Sequence, residues 1–138
     1  MSKILGGCLC GTVKFEITND FSQFHLCHCQ QCQKITGSAH ASNLFCQSEH
    51  ITWLAGTGKT KRFDYPDRHF ARVFCTECGT GLPYLVNKGK TLIVPAGSLD
   101  VDEETVFNVA PQDNIFWHER AAWYDAALAA PTFAGFPK

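Results

Sequence analysis

The spacing of the eight cysteines constrains this chain more than any other feature of its 138 residues. Cys8-Leu9-Cys10-Gly11 lies near the N-terminus, and Cys75-Thr76-Glu77-Cys78-Gly79 lies in the middle of the chain. Between them stands Cys27-His28-Cys29-Gln30-Gln31-Cys32, while Cys46 is alone. Thiolates are soft ligands that Zn²⁺ gathers into a tetrahedron with Zn–S near ~2.3 Å. A glycine after the second cysteine lets the backbone turn back, so that amide N–H groups point at sulfur. Two distant knuckles supplying four thiolates make the closed shell of a structural zinc, which we assign to Cys8, Cys10, Cys75 and Cys78. This clamp would fasten the first strand to the middle of the chain. Cys27, Cys29 and Cys32 number three, which leaves a tetrahedral corner for water or a substrate thiol, the arrangement of catalytic zinc. The alternative is a second closed site completed by Cys46 or His40. His28, flanked by two ligands, should point away from the metal.

Other readings of the cysteines fit less well. A disulfide scaffold needs an oxidising address and leaves about 105 pairings of eight cysteines open. The start, Met1-Ser-Lys-Ile-Leu-Gly-Gly, has no apolar h-region, and no apolar run approaches the ~18 residues of a membrane span. The expectation is therefore a reduced, cytoplasmic chain with no membrane partner. Free cysteines also serve as small core residues, which would make the two knuckles unrelated turns. A redox C-x-x-C opens a helix, whereas Cys78 is followed by Gly79-Thr80-Gly81. The formal net charge of −1 and pI near 6.6 give no reason to expect nucleic acid as a partner. Seven bound thiolates and two Zn²⁺ ions would bring the loaded protein to about −4.

The length suits one domain spanning residues 1–138, with no linker or repeat. Val13, Phe15 and Ile17 alternate with Lys14 and Glu16, the period-two pattern of a half-buried strand. Similar runs at Phe24–Cys27, His40–Phe45, Ile51–Leu54, Thr60–Asp64, Ala71–Cys75, Leu82–Val86 and Thr91–Pro95 are punctuated by Gly and Pro. Strands this short and frequent predict a mainly β protein of antiparallel sheets. Gln30–Ile35 predicts a short helix after the cysteine cluster, and the Ala-rich Glu119–Ala130 predicts a C-terminal helix stopped before Pro131. The tail Thr132–Lys138 is expected to be extended.

These motifs resemble the glutathione-dependent formaldehyde-activating enzyme family, also grouped with centromere protein V. The resemblance rests on Gly7-Cys8-Leu9-Cys10-Gly11-Thr12-Val13-Lys14-Phe15, on Cys27-His28-Cys29-Gln30-Gln31-Cys32-Gln33-Lys34-Ile35-Thr36-Gly37-Ser38 and on Phe74-Cys75-Thr76-Glu77-Cys78-Gly79. Pro111, Ile115-Phe116, Trp123 and Pro131-Thr132-Phe133 extend it over nearly the whole chain. It implies a β-tent fold like that of methionine-R-sulfoxide reductases, and two zinc ions, one structural and one catalytic, on the same seven cysteines. Many members carry His before the Ile-Phe pair, where this chain has Asn114. Cys46 falls outside the family's metal pattern.

The resemblance further implies a carbon–sulfur lyase that joins glutathione and formaldehyde into S-hydroxymethylglutathione. A zinc already holding three thiolates is a weak Lewis acid, which favours capture of a thiol over polarisation of the aldehyde. The two carboxylates of glutathione call for cations, with Lys34, Arg62, Arg68 and Arg72 as candidates. Thr36, Gly37 and Ser38 offer donors beside the triplet, and Phe116, Trp117, Trp123 and Tyr124 could wall a pocket. Each of these also has an ordinary reading, as surface charge, turn or core. The competing function is a non-catalytic zinc module that binds a thiol ligand or a protein. Sulfoxide reduction would need a redox cysteine away from zinc, for which only Cys46 is free.

Overall fold

Alternation of apolar and polar residues between Val13 and Ile17 becomes a strand whose inner face is wholly buried. In the computed structural model, which describes residues 1–137, Val13, Phe15 and Ile17 are each 0% exposed. In chain order the first elements are β1 (Lys3–Gly7), β2 (Lys14–Thr18), β3 (Gln23–Cys27), α1 (Gln30–Thr36), β4 (Ala41–Gln47) and β5 (Ile51–Ala55). There follow β6 (Thr60–Asp64), β7 (Ala71–Cys75), β8 (Gly81–Leu82), β9 (Tyr84–Val86), β10 (Thr91–Pro95), β11 (Asp113–Ile115) and α2 (Tyr124–Ala129). They form three sheets with strand orders β1-β2-β5, β11-β3-β4-β10-β9 and β6-β7-β8.

The mainly β, antiparallel expectation holds for every strand pair but one. β11 runs parallel to β3, with Ile115 opposite Cys27. Three further differences have local causes. Pro83 divides the single strand expected over Leu82–Val86, so that β8 pairs with β7 while β9 pairs with β10; proline has no N–H for a ladder. β1 gave no periodic signal because its last residues are Gly6 and Gly7. A Cβ at Gly6 would lie 2.5 Å from the Phe15 ring and 2.8 Å from the Ser98 carbonyl, so the missing side chain permits the close approach. The C-terminal helix is shorter than the expected Glu119–Ala130. Glu119 ends a 3₁₀ turn, and its carbonyl and carboxylate are both engaged by α1. Residues 120–123 leave that anchor before α2 begins, and alanine propensity is too weak a term to override it. The tail after α2 has no regular element among the described residues, and its Lys138 lies outside them.

The main core joins Phe15, Ile17, Phe24, Leu44, Leu82, Leu92 and Val94 across the sheets. Phe15 meets Trp53 edge-on at 5.6 Å. Phe15→Ala should lower stability by about 3–5 kcal/mol, as for other fully buried aromatics. A denaturant midpoint unchanged from the parent would refute the placement of Phe15 at the centre.

Candidate metal centres and the cleft between them

The two knuckles meet because Cys8 directly follows β1 and Cys75 ends β7. In each, the glycine adopts φ +81°, at Gly11 and Gly79, a conformation other residues rarely take. Gly11 N–H donates to the Cys8 carbonyl at 3.1 Å, and Gly79 N–H to the Cys75 carbonyl at 2.8 Å. Backbone amides also face the sulfurs, from Val13 to Cys8 at 3.2 Å and from Glu77 to Cys75 at 3.4 Å. Each second cysteine is followed by Gly-Thr, and the threonine oxygen returns to the sulfur: Thr12 Oγ1 is 3.1 Å from Cys10 Sγ and Thr80 Oγ1 is 3.2 Å from Cys78 Sγ. Leu9 N–H donates to Thr80 Oγ1 at 3.0 Å and locks one knuckle to the other.

The four sulfurs lie within 4.8 Å of one another. Cys8–Cys10 is 3.6 Å and Cys10–Cys75 is 3.9 Å. A tetrahedron with Zn–S of ~2.3 Å has edges of about 3.8 Å, so the donor set fits zinc. All eight cysteines are free thiols. The Thr80 hydroxyl, helped by backbone N–H groups, holds Cys78 down at about 6. At Cys8, burial works against ionisation but the Val13 amide and the neighbouring thiols outweigh it, so its pKa is lowered. Burial pushes the Cys75 thiol up.

The second cluster is built on one turn. Cys27 ends β3, Cys29 is the extended N-cap of α1, and Cys32 stands one turn inside the helix, its N–H donating to Cys29 Sγ at 3.3 Å. All three sulfurs lie within 4.8 Å of one another, and all three residues are buried beside Ala41, Phe70 and Ile115. No His, Asp, Glu or further Cys among the described residues joins this group. Cys46 instead faces the main core, where burial raises its thiol to about 11. Cys27 is lowered to about 6, chiefly by hydrogen bonding from Cys32, whose own thiol is pushed far up by the same contact. The contact thus favours ionisation at Cys27 over Cys32.

His28 is 0% exposed and turned into an aromatic nest, with ring centroids of His40, Trp117 and Tyr124 each 5.0 Å away. Its Nε2 lies 2.8 Å from Asn114 Oδ1, so the imidazole donates from Nε2 to the amide oxygen. His28 Nδ1 has no partner. Asn114, where the family often has His, therefore anchors the residue between two sulfurs. Removing its side chain in Asn114→Ala leaves both ring nitrogens unpaired in the interior, which should cost about 1–3 kcal/mol. Equal urea midpoints for variant and parent would show the bond to be without consequence.

The triplet forms part of the wall of an open cleft of about 650 Å³, whose lining includes Lys34, Arg68, His69, Phe70, Tyr84 and Phe116. A smaller cavity of about 330 Å³ adjoins it and shares Cys32, Ile35 and Tyr84 as lining. Of the four cations expected to clamp carboxylates, Lys34 and Arg68 line the larger cleft. Arg68 stacks 4.5 Å over the Tyr65 ring. Arg62 is engaged by Asp64 at 3.1 Å and by the Leu85 carbonyl at 2.8 Å. Arg72 lines the smaller cavity, with its guanidinium held on the Ile35 and Gly79 carbonyls.

Thr36 spends its hydroxyl on the Cys32 carbonyl at 2.7 Å, Gly37 ends the helix at φ +67°, and Ser38 N–H donates back to Thr36. Of the expected aromatic wall, Phe116 lines the cleft from a left-handed backbone at φ +54°, while Trp117 and Tyr124 pack on His28 and Trp123 is exposed. Tyr84, which carries no motif or spacing signal, lines both cavities. Burial raises its phenol to about 12, so it stays protonated at neutral pH. Glu119 was also not expected: its carboxylate accepts from Gln30 N–H at 3.1 Å, at the start of α1.

Three comparisons bear on this arrangement. The family model described as glutathione-dependent formaldehyde-activating enzyme matches residues 3–119. A Schizosaccharomyces pombe protein described as an uncharacterized lyase is 28% identical over 91 residues. That match takes in 65% of this chain and 63% of the relative, so the chain spans just under two thirds of that protein's length. The crystal structure of a Rhodobacter sphaeroides protein is similar in fold, with a TM-score of 0.60 at 19% identity, over 78% of this chain and 98% of that one.

Proposed function

We propose that this chain, which belongs to the glutathione-dependent formaldehyde-activating enzyme family, is a zinc-dependent carbon–sulfur lyase acting on a glutathione-type thiol and a small aldehyde. The observation that carries the reading is the incomplete shell: three buried sulfurs within 4.8 Å of one another, without a fourth protein donor among the described residues, on the wall of a cleft. Cys27, Cys29 and Cys32 would hold the catalytic ion, and Cys8, Cys10, Cys75 and Cys78 the structural one. Zinc with one open coordination place lowers the pKa of a thiol and presents it as a nucleophile.

The remaining work falls to the chain's own groups. Lys34 and Arg68 at the cleft offer charge to the carboxylates of the thiol, with His69 beside them. Ile35, Phe70 and Ile115 give the lining apolar surface. In the forward direction the thiol gives up its proton to solvent and its sulfur attacks the carbonyl carbon; a C–S bond forms as the carbonyl π bond breaks, and the oxygen takes a proton back from solvent. The Tyr84 hydroxyl, in the cleft lining, is a hydrogen-bond donor suited to hold that oxygen. In reverse the C–S bond breaks and the aldehyde leaves. Thiol ligands require a reducing compartment, and we place the protein in the cytoplasm on that ground. No helix of the described residues is long and apolar enough to cross a membrane.

The test is the rate of thiol–aldehyde adduct formation with zinc-loaded protein, using glutathione and, separately, a neutral thiol without carboxylates. Acceleration over the spontaneous rate, larger for glutathione, is expected. A rate equal to the spontaneous one with both thiols would leave the second reading, a module that binds a thiol or a protein without catalysis. That reading is favoured by one observation, the exposure of Trp123, Leu128, Phe133 and Phe136 along the C-terminal segment.

A further inference from the structure

We infer that Arg72 is a positioning residue that braces the three-cysteine cluster on the four-cysteine knuckle, so that metal held at one centre is felt at the other. This inference rests on the metal reading above but concerns a residue to which that reading gives no role. Arg72 lies in β7, three residues before the ligand Cys75. Its Nη1 donates to the carbonyl of Ile35, and its Nη2 to the carbonyl of Gly79 at 2.9 Å. Ile35 is in the last turn of α1, the helix that carries Cys32, and Gly79 is the turn residue joined to Cys78.

One rigid fork therefore spans the two clusters. The Ile35 carbonyl is among the last four of α1, which have no partner within the helix, and the negative end of the helix dipole adds to its attraction for a cation. A guanidinium presents parallel donors in a fixed plane, which a lysine ammonium cannot reproduce.

The charge of Arg72 points the same way. No carboxylate among the described residues pairs with it, and its Nε is buried without a partner. A half-buried cation so placed needs a counter-charge, and the metal–thiolate clusters supply it. Four thiolates around Zn²⁺ carry a net −2 and three carry −1. Arg72 and Cys32 line the same 330 Å³ cavity, and Gly79 follows Cys78 directly. Arg72 thus sits between two centres that become anionic when loaded. Each loaded centre would stabilise the cation, and the fork ties the backbone of one to that of the other.

The experiment titrates metal-free protein with Co²⁺, following thiolate charge-transfer and ligand-field absorption, for native protein, Arg72→Met and Arg72→Lys. Far-ultraviolet circular dichroism of each zinc-loaded variant checks the fold. Loss of an outer-shell partner of a metal site typically weakens affinity about 10–100-fold. Arg72→Met should weaken the three-cysteine centre by at least about tenfold and alter its ligand-field bands. Arg72→Lys should recover part of the affinity, through charge, but not the native spectrum. Cys78→Ser should weaken the three-cysteine centre in the native background and add little in the Arg72→Met background. Two native metal equivalents with unchanged affinity and spectrum in Arg72→Met would overturn the brace and leave the lyase reading standing. Native protein that binds no metal would overturn both. If Cys78→Ser does not fold, the rate of metal release from the three-cysteine centre of Arg72→Met decides; a native rate overturns the coupling.

Discussion

Cys29→Ser is expected to remove one metal equivalent and to reduce the acceleration of thiol–aldehyde exchange at least about 100-fold, since even outer-shell losses cost about 10–100-fold. Cys29 is the sulfur most built into the backbone: it is the N-cap of α1, its residue is extended at φ −65° and ψ 156°, and its sulfur accepts the Cys32 N–H. Serine preserves the cap, because its oxygen accepts the same amide, so the helix should persist. What disappears is a soft donor, and two sulfurs with one hydroxyl no longer make the shell that zinc prefers. The thermal midpoint should therefore move little while the metal count falls from two to one. Cys46→Ala is the control, since Cys46 belongs to the main core and stands outside both clusters. It should keep two metal ions and full acceleration. Equal acceleration by native protein and Cys29→Ser would remove the three-cysteine cluster from the chemistry.

The second large effect belongs to the knuckle pair. Extraction of its metal with a strong chelator, or Cys75→Ser, should lower stability by several kcal/mol. Apparent binding energies of structural zinc reach about 10–16 kcal/mol in small zinc-finger peptides, comparable with the whole stability of an ordinary domain. Here the loss should be partial, because Cys8 and Cys75 also belong to a core built of Phe15, Ile17, Leu44 and Leu92. What the ion adds is closure of the 65-residue interval between Cys10 and Cys75, together with relief of four thiolates held in one place. A fall of more than ~10 °C in the melting temperature is the expected readout. Acid should act in the same direction, because protons compete with metal for sulfur. Cys78 and Cys27, both lowered to about 6, keep their charge until the pH falls towards that value. Metal release should accordingly steepen below about pH 6. Identical melting curves with and without chelator would show that the knuckles hold together without an ion.

Much of this protein was legible residue by residue. Alternation at Val13, Phe15 and Ile17 specified β2, the run Gln30–Ile35 specified α1, and the glycines after Cys10 and Cys78 specified two matching turns. Local geometry follows from local sequence in each case. The failures share a different cause. The parallel strand β11 is held by β3, some ninety residues earlier, with Asp113 opposite His25. β1 exists because Gly6 allows the Phe15 ring to approach. The Tyr84 phenol, the Asn114–His28 bond and the Arg72 fork are pairings between distant segments, and none leaves a periodic trace.

Sequence alone picked out the seven sulfurs that gather into two groups able to hold a metal, because soft-donor chemistry depends on residue type and each knuckle or triplet on spacings of two to five residues. Only the tertiary structure decided which cations line the cleft, that His40 and Cys46 stay out of the three-sulfur cluster, and that Arg72 reaches backbone carbonyls beside both cysteine clusters. Those outcomes depend on where separate strands come to rest against a shared core, and burial and long-range register fix that once the whole chain has folded.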